Sequence, residues 1–303
     1  MRTLLVTALF MGCGPKVPVS PPMPSEAFAV DREALPGGHL RVFHTATVGM
    51  SEREGLAGGR KTDWRAPVSV ALFDHPTHGV VLIDAGFGRA TATDPPTYPV
   101  GLGLKLLDVG DVVPLVDVLD QVELSAADVR QVFVTHLHVD HVGGIADLPA
   151  AVVRAPQMEW DAAQQRRVTK GYDPAPYLAN AFAPVVFDDG PVGPFAHSAD
   201  IFGDGSLVAL STPGHTVGHT MYLVNLPHGS WLFTGDAAWI DANWLEGARP
   251  KGWLARSLLE DNWKLGASAL WRIHWFAQQE GVTVISGHEP ANLERLPAWP
   301  ATL

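Results

Sequence analysis

Residues 135–144 of the chain read THLHVDHVGG, which places four potential metal ligands within six consecutive positions, 136 to 141. The apolar residues 132–134 precede them and are typical of a short buried strand. The two glycines that follow allow the backbone to turn sharply. We therefore expect the ligands to lie on a loop at the end of a strand.

The spacing of these ligands indicates two neighbouring metal ions. In an extended segment, residues i and i+2 point to the same side about 6–7 Å apart, so His136 and His138 can converge on one ion. Asp140 and His141 are adjacent and cannot both follow that face, which suits them to a second ion. Two metals held close together can activate one water between them. A His-rich surface loop or satisfied core histidines would give the same letters, but further ligands downstream argue against both.

The combination of strand, turn and ligand recurs three more times along the chain. Each of three later apolar runs reads as a strand and is followed by glycine or proline beside a His or an Asp. These runs deliver His215, Asp236 and His288. The resulting five histidines and two aspartates are the right number and kind of ligands for two borderline cations.

Composition points to a compact globular protein with many turns. The chain has 303 residues, of which 47% are apolar and 17% are charged, with 30 glycines and 25 prolines. One large domain or two small ones are possible at this length, and we assign residues 26–303 to a single domain. A net charge of −11 without a basic stripe disfavours nucleic acid as a partner. No apolar run reaches about 18–20 residues, so no transmembrane helix is expected.

The single cysteine, Cys13, ends a segment that resembles a bacterial lipoprotein signal. Residues 1–12 combine a minimal basic start with a short apolar stretch that is too short to span a bilayer. We predict cleavage before Cys13, lipidation of this cysteine, and an exported protein anchored to a membrane and facing the periplasm or the outside. Residues 13–25 are proline-rich and predict an extended tether. The alternative for residues 1–12 is an ordinary buried N-terminus.

Hydrophobic patterning and turn residues predict the remaining elements, which together favour an α/β sandwich. Strands are expected at residues 39–48, 68–73, 79–83, 152–155, 207–210, 221–225, 231–233 and 282–285. Helices are expected at residues 101–107, 112–119, 156–168 and 255–280, with a helix start at Ser125–Asp128. Residues 49–63 are expected to form a loop. His75 and His78 lie in a predicted hairpin turn, where solvent-facing side chains are expected.

The set of motifs THLHVDHVGG, PGHT, TGDA and SGH resembles the metallo-β-lactamase superfamily. The resemblance covers most of residues 39–290 and implies an α/β fold, a four-layer αββα sandwich with a metal site at one edge. It also implies seven metal ligands: a first metal on His136, His138 and His215, a second on Asp140, His141 and His288, and a bridge between them through Asp236. Asp84 matches an aspartate that supports the ligand loop from behind. His219 is interpreted as structural, with a direct role as the alternative.

The bridging aspartate narrows the choice within this superfamily. True β-lactamases of the fold lack it, whereas thioesterases like glyoxalase II, N-acyl-homoserine lactonases, methyl parathion hydrolase-like enzymes and tRNA-processing nucleases share it. The acidic charge fits nucleases poorly, and glyoxalase II places its HxHxDH stretch nearer the start and is usually not exported. The long N-terminal stretch that precedes His136 resembles that of the lactonase and methyl parathion hydrolase branch.

In one respect the sequence departs from the quorum-quenching lactonases. These enzymes carry a tyrosine three residues after the bridging aspartate, where it assists the carbonyl oxygen, and this chain has Trp239. An indole N–H can donate a hydrogen bond, but it is not an acid like a phenol. Trp239 and Trp244 are candidates for an apolar pocket wall or for ordinary packing. Packing is the preferred interpretation for Trp263, Trp271 and Trp275.

The resemblance implies a dinuclear hydrolase in which a bridging hydroxide attacks an ester or lactone, with N-acyl-homoserine lactones as possible substrates. Asp140 is the candidate catalytic residue, because it can accept a proton and pass it on. Two Zn²⁺ ions are expected from the His-rich ligand set, with iron or manganese as alternatives. The other functions considered are phosphotriester or aryl ester hydrolysis, a glyoxalase II-like thioesterase, and a membrane-tethered lipoprotein that binds metal without turnover.

Overall fold

The computed structural model describes residues 19–93, 108–165 and 170–296. Within these ranges the strands are β1 His39–Ser51, β2 Asp63–His75, β3 Gly79–Ile83, β4 Val109–Gly110, β5 Val129–Phe133, β6 Val152–Ala155, β7 Phe182–Pro184, β8 Ser198–Asp200, β9 Leu207–Ser211, β10 Thr220–Leu226, β11 Gly229–Phe233 and β12 Val282–Ile285. The α-helices are α1 Glu52–Gly55, α2 Arg89–Thr93, α3 Leu115–Asp120, α4 Val139–Val142, α5 Gln157–Gln165, α6 Trp253–Leu259 and α7 Trp263–Phe276. Short 3-10 helices lie at Gly143–Asp147, Gly235–Ala237, Asp241–Asn243 and Pro290–Arg295.

The strands form two sheets. The seven-stranded sheet has the order β4-β1-β2-β3-β5-β6-β7, and the five-stranded sheet has the order β12-β11-β10-β9-β8. Strands β3, β5, β6 and β7 are parallel to one another, and so are β11 and β12. Since parallel strands end on the same side of a sheet, the segments that follow β3 and β5 lie side by side. The segments that follow β11 and β12 do the same in the other sheet.

Strand β3 shows how the two sheets are buried on both faces. Val81 and Ile83 pack between the sheets, in a cluster that also contains Tyr222 and Val224 of β10. Alternate residues of a strand point to opposite faces, so Val80 and Leu82 pack on the outer side instead. Full burial of such a side chain contributes about 1.5–3 kcal/mol of transfer free energy.

Helices cover the outer face of each sheet. Leu115, Val118 and Leu119 of α3 share an apolar cluster with the outer face of the seven-stranded sheet. Leu270 and Ile273 of α7 share another with the outer face of the five-stranded sheet. The layers therefore run helix, sheet, sheet, helix, and the predicted αββα sandwich is confirmed. Among the described residues, no helix is both long enough and apolar enough to cross a bilayer.

Two helix predictions are wrong in detail. The carboxylate of Asp128 accepts hydrogen bonds from the backbone N–H and hydroxyl of Ser125 at 2.8 and 2.7 Å, as in a capping box, but the chain then enters β5. Strand pairing with β3 and β6 outweighs the local capping signal there. The single helix predicted at 255–280 is two helices, because the side chain of Asn262 accepts N–H bonds that begin α7.

The structure corrects one further expectation, a loop, and does not describe the residues of another, a helix. The predicted loop at residues 49–63 is shorter, because β1 extends to Ser51 and α1 follows at once. The helix expected at residues 101–107 lies outside the described residues.

The expectation of a solvent-facing His75 is wrong, although His78 is exposed as expected. Nδ1 of His75 accepts the backbone N–H groups of Thr77 and His78, both at 3.1 Å. The proton of His75 therefore sits on Nε2, which donates to Asp204 at 3.0 Å. Because Asp204 lies between strands β8 and β9, this bond fastens the β2–β3 hairpin of one sheet to the other sheet.

Candidate metal centre

Four strand ends bring the seven predicted ligands together at one edge of the sandwich. His136 and His138 follow β5, and Asp140 and His141 lie in α4 directly after them; His215 follows β9, Asp236 follows β11 and His288 follows β12. The ligand atoms form two groups, each with all members within 4.8 Å of one another. The first cluster is His136, His138, His215 and Asp236, and the second cluster is Asp140, His141 and His288.

The carboxylate of Asp236 contacts both clusters. Its Oδ2 atom lies 3.2 Å from Nε2 of His215 in the first cluster. Its Oδ1 atom lies 3.2 Å from Nε2 of His141 and 3.2 Å from Nε2 of His288, both in the second. One buried carboxylate thus has the reach that a bridging ligand requires.

The nitrogen atoms of the first cluster fit a cation. Among the described residues, Nε2 of His136 is buried without a hydrogen-bond partner, and Nε2 of His215 faces the carboxylate of Asp236. Burial disfavours imidazolium and lowers the pKa of both histidines well below the ordinary value, so both offer a lone pair. Nε2 of His215 and Nδ1 of His138 lie 3.1 Å apart. That separation suits two ligands of one Zn²⁺ ion with bonds of about 2.0–2.1 Å.

In the second cluster the histidine pKa values are raised, whereas those of His136 and His215 in the first cluster are lowered. Burial alone would lower the pKa of His141, but the negative charges of Asp84, Asp140 and Asp236 outweigh it and raise the pKa well above its ordinary value. Burial also opposes the charged form of His288, whose pKa is nevertheless raised by Asp236 and Asp140. The same carboxylates attract metal cations, so protons and divalent ions compete for these nitrogens.

Asp84 and a backbone carbonyl orient the histidines of the second cluster. Nδ1–H of His141 donates to Asp84 at 2.8 Å, and Asp84 also accepts the backbone N–H of Thr135 at 2.7 Å. Nδ1–H of His288 donates to the carbonyl of Pro67 at 2.8 Å. Each Nε2 therefore faces Asp236. Asp84 has a φ of 60°, a conformation that costs a non-glycine residue about 1–3 kcal/mol. The supporting position predicted for Asp84 matches this geometry.

His219 lies behind the first cluster and belongs to neither group. Its Nδ1 atom is 2.9 Å from the hydroxyl of Thr212, and its ring centroid is 5.5 Å from that of His136. Burial lowers the pKa of His219 to about 3. The ring is therefore a neutral packing partner for the cluster, in line with the structural interpretation.

Trp239 joins the metal centre to an adjoining cleft. Its indole N–H donates to Oδ2 of Asp236 at 2.6 Å, and its backbone N–H donates to the side chain of Asn243 at 3.0 Å. The cleft has a volume of about 680 Å³, and Trp239 forms part of its wall. The expectation that Trp239 walls a pocket therefore agrees with the structure. Trp244 instead packs in the core against α7, with its N–H donating to Ser286.

Sequence reasoning missed Lys251, a buried lysine beside this site. Its ammonium group donates to the backbone carbonyl of Asp236, forms an ion pair with Glu260 at 2.8 Å, and lies 5.1 Å from the ring centroid of Trp239. The side chains of Lys251 and Glu260 are only 2% and 5% exposed. Nothing local marks Lys251 in the sequence, because the burial of a lysine is decided by tertiary packing.

Sequence reasoning also missed Glu159, which contacts the loops of the first cluster. The only local signal is helical spacing in α5, where Glu159 shares a buried face with Ala163 while Met158 is exposed. A charged side chain on the inward face of a helix is unusual enough to mark a special role.

A sequence profile of the metallo-beta-lactamase superfamily matches residues 63–272. The chain belongs to the metallo-beta-lactamase superfamily. It is 31% identical over 252 residues to N-acyl homoserine lactonase AttM of Agrobacterium fabrum, a match that covers 80% of this chain and 90% of AttM. The predicted family is confirmed, and this superfamily member is a metal-dependent hydrolase.

Solved structures share the fold. A mutant of B. thuringiensis AiiA with N-decanoyl-L-homoserine bound at its active site superposes with a TM-score of 0.70 at 18% identity, covering 88% of this chain and 99% of AiiA. AidC, a dizinc quorum-quenching lactonase in complex with its product, superposes with a TM-score of 0.57 at 14% identity, covering 88% of this chain and 90% of AidC. At these identities the likeness establishes the fold.

We predict that Lys251→Met lowers the free energy of unfolding by about 3–5 kcal/mol, since it leaves the buried carboxylate of Glu260 without its partner. Denaturant titration of the metal-replete protein measures this loss. The double variant with Glu260→Gln should recover much of it. Lys264→Met, at an exposed lysine, is the control and should stay within about 0.5 kcal/mol of the parent. A Lys251→Met protein as stable as the parent would contradict the assignment.

Proposed function

We propose that this chain is a dinuclear metal hydrolase that opens the lactone ring of N-acyl-homoserine lactone-like substrates. The observation that carries the proposal is the position of Asp236, whose carboxylate lies within 3.2 Å of histidines from both clusters. The similarity to N-acyl homoserine lactonase AttM supports the choice of lactones over other esters.

The ligand set supports two zinc ions. His136, His138 and His215 would hold one, Asp140, His141 and His288 the other, with Asp236 in contact with both. When bound, such cations supply Lewis-acid activation of water and of a carbonyl group. A set rich in imidazole favours zinc, with iron and manganese as alternatives. The dizinc description of AidC, which shares the fold, agrees with this choice.

We assign the proton transfers to Asp140. Its side chain is 16% exposed, against 4–5% for His141, His288 and Asp236, so it faces the opening of the site. A carboxylate in this place can accept a proton from the attacking water and return it to the alcohol oxygen released on ring opening. The product is an N-acyl-homoserine, and no proton is lost or gained by Asp140 over the cycle.

The adjoining cleft supports a substrate with an apolar tail. Its wall includes Trp239, Met50 and Trp64, together with Leu254 and Leu258 of α6. Charged side chains also line it; these are Arg53, Glu54, Lys61, Asp63, Arg65 and Asp108. An acyl chain would lie along the apolar wall, while the amide and lactone groups would face the metal centre.

We predict that the metal-replete protein opens N-acyl-homoserine lactones in a pH-stat assay. His136→Ala and Asp236→Ala should each lower kcat/KM at least about 100-fold, or about 2.7 kcal/mol of transition-state stabilisation. His228→Ala, at an exposed histidine outside both clusters, is the matched control and should retain parental activity.

Two results would contradict this function. Turnover of phosphotriesters, aryl esters or thioesters without turnover of any lactone would move the chain to one of those activities. Metal analysis that finds fewer than about one ion per chain, in protein purified without chelator, would contradict the two-metal site.

We predict separate effects for two substitutions of Trp239. Trp239→Phe removes the N–H bond to Asp236 but keeps an apolar wall, so metal retention against a chelator should weaken about 10-fold with little change in KM. Trp239→Ala should also shift the preference for acyl-chain length, because it enlarges the cleft. A Trp239→Phe protein with parental metal affinity and a lower kcat would instead mean that the indole assists the substrate.

We also propose that the protein is exported and anchored to a membrane through Cys13, which the sequence of residues 1–13 supports. The full chain expressed in a bacterium should incorporate labelled palmitate and sediment with membranes. Cys13→Ala should abolish both, whereas Ser20→Ala in the predicted tether should change neither. A parent chain that is unlabelled and recovered in the soluble fraction would exclude this attachment.

A further inference from the structure

We propose that the carboxylate of Glu159 positions the first cluster separately from the second, and so sets the affinity for one of two metal ions; this rests on the two-metal site proposed above. Among the described residues, the hydrogen bonds of Glu159 go to Leu137, Tyr172 and Gly218, none of which is a predicted ligand. Glu159 acts through the backbone and the neighbours of three ligands, which makes it a positioning residue.

Glu159 ties together the two loops that carry the histidines of the first cluster. The side chain is fully buried in the first turn of α5. Its Oε1 atom accepts the backbone N–H of Leu137 at 3.1 Å, and its Oε2 atom accepts the backbone N–H of Gly218 at 2.9 Å. Leu137 lies between His136 and His138, and Gly218 lies three residues after His215. One carboxylate thus fixes the separation of two loops that come from different sheets.

Tyr172 extends this support to the ring of His138. The hydroxyl of Tyr172 donates to Oε1 of Glu159 at 3.4 Å, and its ring centroid lies 4.6 Å from that of His138. The imidazole of His138 is thereby held from the side as well as through its backbone. Tyr172 is also buried in the apolar core and forms an isolated β-bridge with His138, so its bond to Glu159 adds a polar link to this contact.

The approach of Glu159 to the second loop leaves no room for a side chain. A Cβ atom added at Gly218 would lie 2.5 Å from Cβ of Glu159 and 2.8 Å from its backbone nitrogen. These distances are too short for any side chain at position 218 unless the backbone moves. Glycine at position 218 therefore allows the loop to press against α5. The position of this loop therefore depends both on glycine at position 218 and on its hydrogen bond to Glu159.

The donors to Glu159 are all neutral, which makes this arrangement costly. Burial raises the pKa of Glu159, and the N–H bonds from Leu137 and Gly218 only partly oppose it. A carboxylate buried with neutral donors alone is more expensive than an apolar side chain of similar size. Its presence is explained by the ligand loops that it joins.

The second cluster has its own carboxylate support and does not depend on Glu159. Asp84 accepts from His141 and from the backbone of Thr135, and the carbonyl of Pro67 accepts from His288. Loss of Glu159 should therefore loosen the first cluster and leave the second intact. Loss of Asp84 should loosen both clusters, because Asp84 also accepts from the hydroxyl of Thr135, which lies 3.1 Å from Nδ1 of His136.

The experiment measures stepwise affinities for Zn²⁺ by chelator competition, with total metal determined by mass spectrometry. Glu159→Gln replaces one acceptor oxygen by an NH₂ group that opposes a backbone N–H. It should bind one ion with parental affinity and the other at least about 10-fold more weakly, which is about 1.4 kcal/mol. Asp84→Asn should instead weaken both ions, because Asp84 accepts directly from His141 and holds the Thr135 hydroxyl beside His136. Combining both substitutions should weaken one ion further than either substitution alone, because both carboxylates support the first cluster.

Asn225→Ala is the control for a general loss of stability. Asn225 is also buried, donates to the carbonyl of Gly205 at 2.7 Å and accepts from Ser230 at 2.6 Å, but it contacts neither ligand loop. This variant should melt at a lower temperature and still bind two ions with parental affinity. If it loses one ion as Glu159→Gln does, the role of Glu159 is only to stabilise the fold and the proposal is overturned.

The remaining outcomes separate this inference from the proposed function. A parent protein that binds two ions, with a Glu159→Gln variant that binds both equally well, overturns the inference alone. A parent that does not bind two ions overturns the two-metal function and this inference with it.

Amide hydrogen exchange tests the inference without a variant, should Glu159→Gln fail to fold. In parent protein stripped of metal, the amides of Leu137 and Gly218 should remain protected, because Glu159 holds them without the ions. Rapid exchange of both amides in the metal-free protein would show that the ions hold the loops, and would overturn the proposal.

Discussion

A buried carboxylate beside three histidines is the constraint on which the rest of the structure depends. Asp236 has a side chain only 5% exposed, and it meets imidazoles delivered after β5, β9 and β12. Burial opposes its ionisation, but the surrounding histidines hold the pKa of Asp236 well below its usual range. A negative charge in such a place is stable only if the histidines, or cations between them, stay close. The fold must therefore hold these separate loops at fixed positions relative to one another.

Two packed sheets meet this requirement because their strand ends do not move independently. The first cluster draws on both sheets, since His136 and His138 follow β5 whereas His215 follows β9. The apolar layer between the sheets fixes their separation. The bond between His75 and Asp204 adds a polar tie between the same two sheets. The positions of the ligands are thus set by the packing of residues that are not ligands themselves.

The sequence was sufficient to predict the fold, and the residues that the structure gathers into the two clusters, because those signals are local or repeated. His136 to His141 form one motif, and the strands at 79–83, 152–155 and 282–285 have the predicted bounds. Lys251 and Glu159 escaped prediction because a charged residue looks exposed until its partners are placed by tertiary contacts. The capping pattern at Ser125 misled for a related reason: its hydrogen bonds form as expected, but strand pairing makes the next residues a strand.

The indole N–H of Trp239 is already hydrogen-bonded to Asp236, which affects how the cleft can recognise a substrate. With its donor occupied by Asp236, this side chain presents a ring without a free polar group to the cleft. Recognition by such a surface scales with contact area, at about 0.8 kcal/mol for each buried methylene, whereas a donor matched to one acceptor would impose a sharp choice. If the proposed function holds, such a wall would accept a series of related acyl tails with graded preference.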